Sequence, residues 1–519
     1  MEKLLQNIRL NPKVFVASLI AASLVLPILL DFNTATNASV PTRSVIQSSI
    51  YRNISSANSK IAGFALNFSI RSGQPLILKV RASMAWRAEV FRQGHYAGAN
   101  VDGKLIARTG LLNPVSQPRP KFLDATNTVD ASNWKNSLTI RTNNWRPGVY
   151  LVKLSMGRNV GYVPLVVRTA DLTGKTVYVS AFQTMQAYNG WGGYSAYRGK
   201  AGAITSISTR SQMLTFSRPL DSAGIKHYLD NELGMAQIVD RFGKNVAWTT
   251  DYDIAIGRAD ISKARVVVTS SHDEYWTIQN RRSFDQAIAN GANVIIAGGN
   301  TSYWRIRYDQ ERPKHSPAFY KYQYPNDPLM QQSPEQSTTY WRATPGASPE
   351  SLFTAGMYNH SANTCGSNND YKAQIVDPTW FGFSGLSLKT NQVVSGIATH
   401  ELDQIIPDSR IPSRTQILMH TDYECNTSNG GRKNAGFDMT YYSTEAGGAV
   451  FSAGTTAWGC ALSRFCAPKR NQASETVKFV TQVTKNLLTE FYQKNIGRKY
   501  PSKFNVLELY PDVKIHLVN

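Results

Sequence analysis

Ala264-Arg265-Val266-Val267-Val268-Thr269-Ser270-Ser271-His272-Asp273-Glu274-Tyr275-Trp276 runs directly into Thr277–Asn290, and after Gly291 comes Asn293-Val294-Ile295-Ile296-Ala297-Gly298-Gly299-Asn300. The two apolar runs are short and rich in β-branched residues, and they do not alternate with polar ones. That is the pattern of strands covered on both faces. The segment between them has the apolar spacing of a helix, opens on Thr277 and stops at Gly291. Strand, helix and strand in succession argue for a parallel sheet. Working outward, Lys175–Ser180 and Asn245–Thr249 read as strands, and Tyr228–Phe242 as an amphipathic helix. Gly448–Ala453 reads as another apolar strand and Ser474–Gln493 as a long amphipathic helix. The expected architecture over 171–492 is therefore α/β, a mostly parallel sheet with helices on both faces. Within it, 309–412 is rich in Pro, Asn and Ser and reads as a loop-rich insertion; 493–519 reads as an ordered tail.

Residues 41–170 carry a different pattern. Ile61–Ile70, Leu76–Val80, Arg87–Arg92 and Leu138–Arg141 alternate apolar and polar side chains between Gly and Pro turns, Arg146–Leu154 reads as a turn feeding a strand, and Val163–Val167 reads as the strand that closes the domain. Such runs predict an N-terminal all-β sandwich of two antiparallel sheets, with a supporting role. A chain of 519 residues exceeds one ordinary core, which agrees with two folded parts.

The first forty residues read as a targeting segment. Lys3, Arg9 and Lys13 precede an apolar run from Val14 to Leu30, and small polar residues follow. Export, to the periplasm or the extracellular space, is expected, with the segment either cleaved or kept as an N-terminal anchor. Export also suits Cys365, Cys425, Cys460 and Cys466: an even number without C-x-x-C spacing favours disulfides over a thiolate metal site. The preferred pairs are Cys460–Cys466 and Cys365–Cys425. Lys and Arg exceed Asp and Glu by 56 to 35, but they are scattered singly, so an anionic envelope surface is a better partner than nucleic acid.

In open α/β sheets, sites lie beyond the carboxyl ends of the strands. Three such ends are polar and aromatic here: Gln186–Tyr197, Ser270–Trp276 and Gly298–Arg305. His272 and Glu274, two apart, share a face of an extended chain and could form a metal site or an acid–base pair. The plainer reading is a capping or packing feature. Asn300 could offer its amide to a carbonyl or merely occupy a left-handed turn. Tyr188 and Tyr197 taken singly would be core aromatics.

Together, Thr184–Tyr197, Arg218-Pro219, Ser271–Trp276, Gly298–Arg305 and Gly447–Ser452 resemble the catalytic domain of the large (beta) subunit of N,N-dimethylformamidase. Ile61–Phe64 and residues 94–98 are similar to the β domain that accompanies it. The resemblance implies a glutamine-amidotransferase-like sheet and one iron, as Fe3+, held by two tyrosines and a glutamate. Carried across, Glu274 is the carboxylate ligand and Tyr188 and Tyr197 the phenolates, with Tyr194 a competitor for either place. His272 and Asn300 become groups that orient the ligands or bind substrate. The family's general-base glutamate has no clean counterpart; Glu445 is nearest but out of register. Phenolate and carboxylate are hard donors suited to ferric iron. The implied activity is hydrolysis of the C–N bond of a small or peptide-like amide, with a small partner subunit or a second copy as further partners. Two rivals stand beside it: a non-catalytic envelope or ligand-binding protein, and a metal-free hydrolase using His272 with Asp273 or Glu274. A serine hydrolase has no support, because no G-x-S-x-G elbow follows a strand.

Overall fold

The computed structural model describes residues 60–518 except 95, 97–102, 201–205, 244, 309–315, 344–347, 360–370, 427–431, 464–465 and 467–471, together with the backbone of Leu29–Leu30. The targeting segment (Leu29–Leu30 apart) and the Cys365–Cys425 pairing lie outside the described residues. The Cys460–Cys466 disulfide is formed. Among the described residues, no helix is long and apolar enough to cross a membrane.

The fold is mixed α/β, organised on a nine-stranded sheet. In spatial order its strands are Val246–Thr250, Thr176–Ser180, Val266–Thr269, Asn293–Ile296, Ala449–Ser452, Arg432–Ser443, Gln416–Asn426, Ala373–Ile375 and Val393–Val394. The first five run parallel. The rest join by antiparallel pairing. This corrects the expected mostly parallel sheet. The long hairpin of Gln416–Asn426 and Arg432–Ser443 carries Asp422, Glu424, Arg432 and Lys433 at its outer end, so its apolar pattern fades where a strand would be sought.

Side chains alternate between two buried layers, as the two-residue period of a strand requires. Val177, Val179, Val267, Val294, Ile296 and Val450 pack with Phe284 and Ala287 of the helix Ile278–Ala289. Tyr178, Val266, Val268, Ile295 and Phe451 pack on the other side with the helices Leu233–Phe242 and Ser474–Phe491. Helices therefore cover both faces. Each such Val, Ile or Phe contributes roughly 1.5–3 kcal/mol by leaving water. The helix expected over Tyr228–Phe242 begins earlier, at Ser222, because Asp221 caps the backbone N–H groups of Ala223 and Gly224. A π-helical turn at Tyr228–Glu232 then interrupts it.

Residues 60–167 form two further sheets that share one core, with Leu78 and Val80 from one meeting Val90, Val152 and Leu165 from the other. The run Ile61–Ile70 divides into Ile61–Ala65 and Ser69–Ile70, one strand in each sheet. A hairpin of Lys121–Leu123 and Thr128–Asp130 stands apart from both. Against the larger part, Arg92 grips Asp240 with two nitrogens at 2.6 and 3.1 Å, and Phe68 stacks on Phe182 at 4.6 Å.

One topological fact fixes where chemistry belongs. From Thr176–Ser180 the chain goes first to one neighbour, Val246–Thr250, and then to the other, Val266–Thr269. The crevice beyond the carboxyl ends at that reversal is the preferred ligand position in open parallel sheets.

Candidate active site

Both strands at the reversal deliver site residues. After Ser180 the chain enters the helix Phe182–Tyr188, whose first N–H groups find no cap on their own side chain. Asp251, at the end of the neighbouring strand, supplies it, accepting from the backbone N–H of Phe182 at 3.0 Å and Gln183 at 2.8 Å. The Thr184 hydroxyl on this helix accepts the backbone N–H of Glu274 at 3.0 Å. The helix and the Glu274 segment are thereby locked together. Beyond Tyr188, Arg218 (1% exposed) donates to the carbonyls of Asn189 at 2.8 Å and Tyr194 at 2.9 Å. Burial pulls this guanidinium down to about 10. Arg218, part of the sequence resemblance, thus moulds the loop that leads to Tyr197.

Tyr188, Tyr197 and Glu274 meet in this crevice. The Tyr188 hydroxyl lies 3.0 Å from Glu274 Oε2, and the Tyr197 hydroxyl lies 2.9 Å from the same oxygen and 3.3 Å from Oε1. The two rings stack at 4.4 Å. Tyr194, the competitor, turns away and packs on Phe122 at 4.9 Å. A further phenol, Tyr275, sits 2.9 Å from the Tyr197 hydroxyl. Burial, and after it the Glu274 charge, raises Tyr188 and Tyr197 well above the ordinary tyrosine range, so without a cation they stay protonated and donate to Glu274.

His272 and Asn300 stand beside this cluster, as expected, and a residue not foreseen joins them. His272 Nε2 lies 2.7 Å from Glu401 Oε2 and 3.6 Å from Glu274 Oε2. Asn300 Nδ2 donates to Glu401 Oε2 at 2.9 Å. Burial opposes charge on both members of the pair, yet their attraction prevails: His272 is raised, and Glu401 is lowered to about 2. Asn300 also has φ 52°, so it fills the left-handed turn and offers its amide at once. Gly299 makes this approach possible, because a Cβ there would fall 2.9 Å from the Glu401 carbonyl oxygen and from Thr455 backbone. Asp273 is buried near Trp276 and does not partner His272 in the way Glu401 does.

Three residues of the site were invisible in the sequence. Glu401 is the carboxylate beside His272, whereas Glu445 is exposed and precedes Ala449–Ser452, at the opposite rim of the sheet. Lys321 donates to Glu274 Oε1 at 2.9 Å and is 2% exposed. Its ammonium lies 4.4 Å from the centre of the Tyr197 ring and 4.6 Å from that of Trp304. Its neighbours Tyr320 and Tyr322 have φ 39° and 58°, a conformation costly for bulky residues, so the surroundings hold this loop in place. His227, from the helix beginning at Ser222, places Nε2 3.3 Å from His272 Nδ1. No spacing or run marks any of the three; Glu401 and Lys321 fall in the loop-rich stretch 309–412.

The donor chemistry can be tested for a metal. Among the described residues, no group of three or more His, Cys, Asp and Glu is placed to hold one; the phenols stand beside the Glu274 carboxylate. The Tyr188, Tyr197 and Glu274 oxygens are all hard donors. The hydroxyls lie 2.9–3.3 Å from the carboxylate oxygens, so the three side chains bring their oxygens together. They fit a hard cation such as ferric iron.

No curated protein matches this chain. Among solved structures, an uncharacterized protein from Bacillus anthracis str. Ames aligns over 21% of this chain and 84% of its own, at 11% identity and a TM-score of 0.14. The family model described as N,N-dimethylformamidase beta subunit-like, C-terminal, matches residues 87–473. That span starts at the strand Arg87–Gln93, encloses every site residue named above and covers well over half of the sequence. The chain therefore belongs to the N,N-dimethylformamidase beta subunit-like family.

Proposed function

We propose that this protein is an iron-dependent amidohydrolase that cleaves the C–N bond of a small amide. The reading rests on one observation: the Tyr188, Tyr197 and Glu274 oxygens converge at the topological switch point, beside a buried His272–Glu401 pair. Tyr188, Tyr197 and Glu274 would hold the metal. When bound, a ferric ion supplies Lewis acidity toward a carbonyl oxygen and lowers the pKa of water.

The remaining steps belong to the chain. Glu401 stays ionised, because His272 Nε2 stands 2.7 Å from it as an ion-pair partner and Asn300 donates to it, and it accepts a proton from the attacking water. The water oxygen bonds to the amide carbon, the C–N bond breaks, and His272 in its protonated form gives a proton to the departing amine nitrogen. Lys321 compensates the Glu274 charge and fixes its second oxygen. Asn300 and His227 hold the pair in register.

The same reading takes the two N-terminal sheets as a sandwich bracing a glutamine-amidotransferase-like catalytic part. It also takes the chain as exported, which the Cys460–Cys466 disulfide supports. The proposed partners are the amide, an anionic envelope surface, and a second copy or small subunit.

The test is amine release from a panel of formamides and acetamides, N,N-dimethylformamide included, by the iron-loaded protein and by Glu401→Gln. Hydrolysis of at least one amide is expected, and loss of the proton acceptor should slow it by about 10²–10⁴-fold with iron content unchanged. No hydrolysis by iron-replete protein, or an unimpaired Glu401→Gln, would overturn the proposal.

A further inference from the structure

The hairpin over residues 121–130, which belongs to neither N-terminal sheet, makes its contacts elsewhere. It lies along residues 210–217, far away in sequence. The backbone N–H of Gln212 donates to the Thr126 carbonyl at 2.9 Å, and that of Ala131 to the Ser217 carbonyl at 2.8 Å. The Ser211 hydroxyl donates to the Asn127 carbonyl at 2.7 Å. The Thr128 hydroxyl, on a residue 1% exposed, donates to the Met213 carbonyl at 2.7 Å. Val129 also seats against Gly192, where a Cβ would fall 2.7 Å from its Cγ1.

The segment gripped in this way touches the site from its other side. The backbone N–H of Ser211 donates to the Ser195 carbonyl at 3.0 Å, and the Ser195 hydroxyl accepts the backbone N–H of Tyr197 at 3.1 Å. The Gln212 carbonyl accepts the N–H of Phe319 at 2.8 Å and of Tyr320 at 3.1 Å. Gln212 Nε2 donates to Gln323 Oε1 at 3.0 Å. Residues 211–213 thus join the hairpin to Tyr197 on one path and to the left-handed Tyr320-Lys321-Tyr322 turn on the other. Both paths end on Glu274, through the Tyr197 hydroxyl and Lys321 Nζ.

We infer that the hairpin is a positioning arm, which through residues 211–213 sets Tyr197 and Lys321 against Glu274, with Thr128 as its anchoring residue. The inference rests on the metal reading for its consequence, but the mechanical coupling stands on the hydrogen bonds alone. It assigns this hairpin of the N-terminal part a role in the site itself. A strained turn such as Tyr320–Tyr322 persists only where its surroundings over-determine it, and the Gln212 contacts supply that constraint.

The experiment compares wild type, Thr128→Val and Thr128→Ser as full-length protein. Thr128→Val keeps the shape and loses the hydroxyl; Thr128→Ser restores it. In the metal-free proteins, amide hydrogen exchange should quicken in Thr128→Val at 195–198 and 319–322 and stay unchanged in the core strand Val266–Thr269. In ferric titrations, Thr128→Val should bind roughly three- to tenfold more weakly, the worth of one buried hydrogen bond, with a displaced tyrosinate-to-iron absorption. Thr128→Ser should return both readouts to wild type. Unchanged exchange at 195–198 and 319–322, or quickening spread evenly over the whole protein, overturns the arm. If wild type itself takes up no ferric iron the metal reading fails, and the exchange data still decide the coupling.

Discussion

Replacing Glu274 by Gln in the metal-free protein takes away the carboxylate 2.9 Å from the Lys321 ammonium, a cation 2% exposed. Removing one member of a buried ion pair costs about 3–5 kcal/mol, because the other charge remains out of water. The Tyr197, Trp304, Tyr275 and Tyr322 rings, at 4.4–5.1 Å, attract the orphaned ammonium, which argues for the low end, about 3 kcal/mol. Lys321→Met keeps the packing of the stem and leaves Glu274 with its two phenol donors, so its cost is smaller, about 2 kcal/mol. The double variant removes both charges and should lose only about 1 kcal/mol, which makes the coupling about 4 kcal/mol. Scanning calorimetry in excess chelator reads this directly. For a cooperative unit of about 150–250 residues, Glu274→Gln should melt about 6–12 °C below wild type, with Lys321→Met added on top raising the melting point again. Two single variants whose effects simply add would refute the buried pair and the account of why Lys321 is there.

Two further outcomes follow from geometry. Gly299→Ala forces a Cβ to within 2.9 Å of backbone on two sides; it should break the Asn300–Glu401 contact and slow amide hydrolysis by about 10²-fold while iron content holds, and retained activity in kinetic assays would contradict this. His420 lies between Asp422 and Asp438, at 3.1 and 2.8 Å, which raise it against burial from 6.5 to about 10. Its folded pKa exceeds the unfolded one, so its stabilisation is full below pH 6.5 and fades toward pH 10. Melting temperature against pH should fall over that window, and His420→Gln should flatten the fall; equal slopes would count against the ion pairs.

What the sequence disclosed follows from which forces are local. Val266–Thr269 and Asn293–Ile296 are buried on both faces, so burial wrote them as unbroken β-branched runs. Ser474–Phe491 buries one helical stripe, and its period was legible for the same reason. Tyr188, Tyr197, Glu274, His272 and Asn300 lie just past such strands, where the parallel topology gathers them. Glu401 and Lys321 reach the site from irregular backbone, held by a left-handed turn, by Gln212 carbonyl contacts and by the close pass of Gly299. Those are long-range constraints with no local period. His227 stands on a helix whose beginning was set by Asp221, upstream of its apolar stripe, and the hairpin Gln416–Ser443 was hidden by its charged outer end.

The central claim, that two phenols and one carboxylate form a metal centre, is tested most directly by iron content and a visible spectrum. Wild type is measured beside Glu274→Ala, Tyr188→Phe and Tyr197→Phe. The account predicts one iron per wild-type chain with a tyrosinate-to-iron absorption, abolished in Glu274→Ala and altered in each tyrosine variant. A wild-type protein that takes up no iron even after anaerobic reconstitution, or an absorption unaffected by all three substitutions, would contradict it.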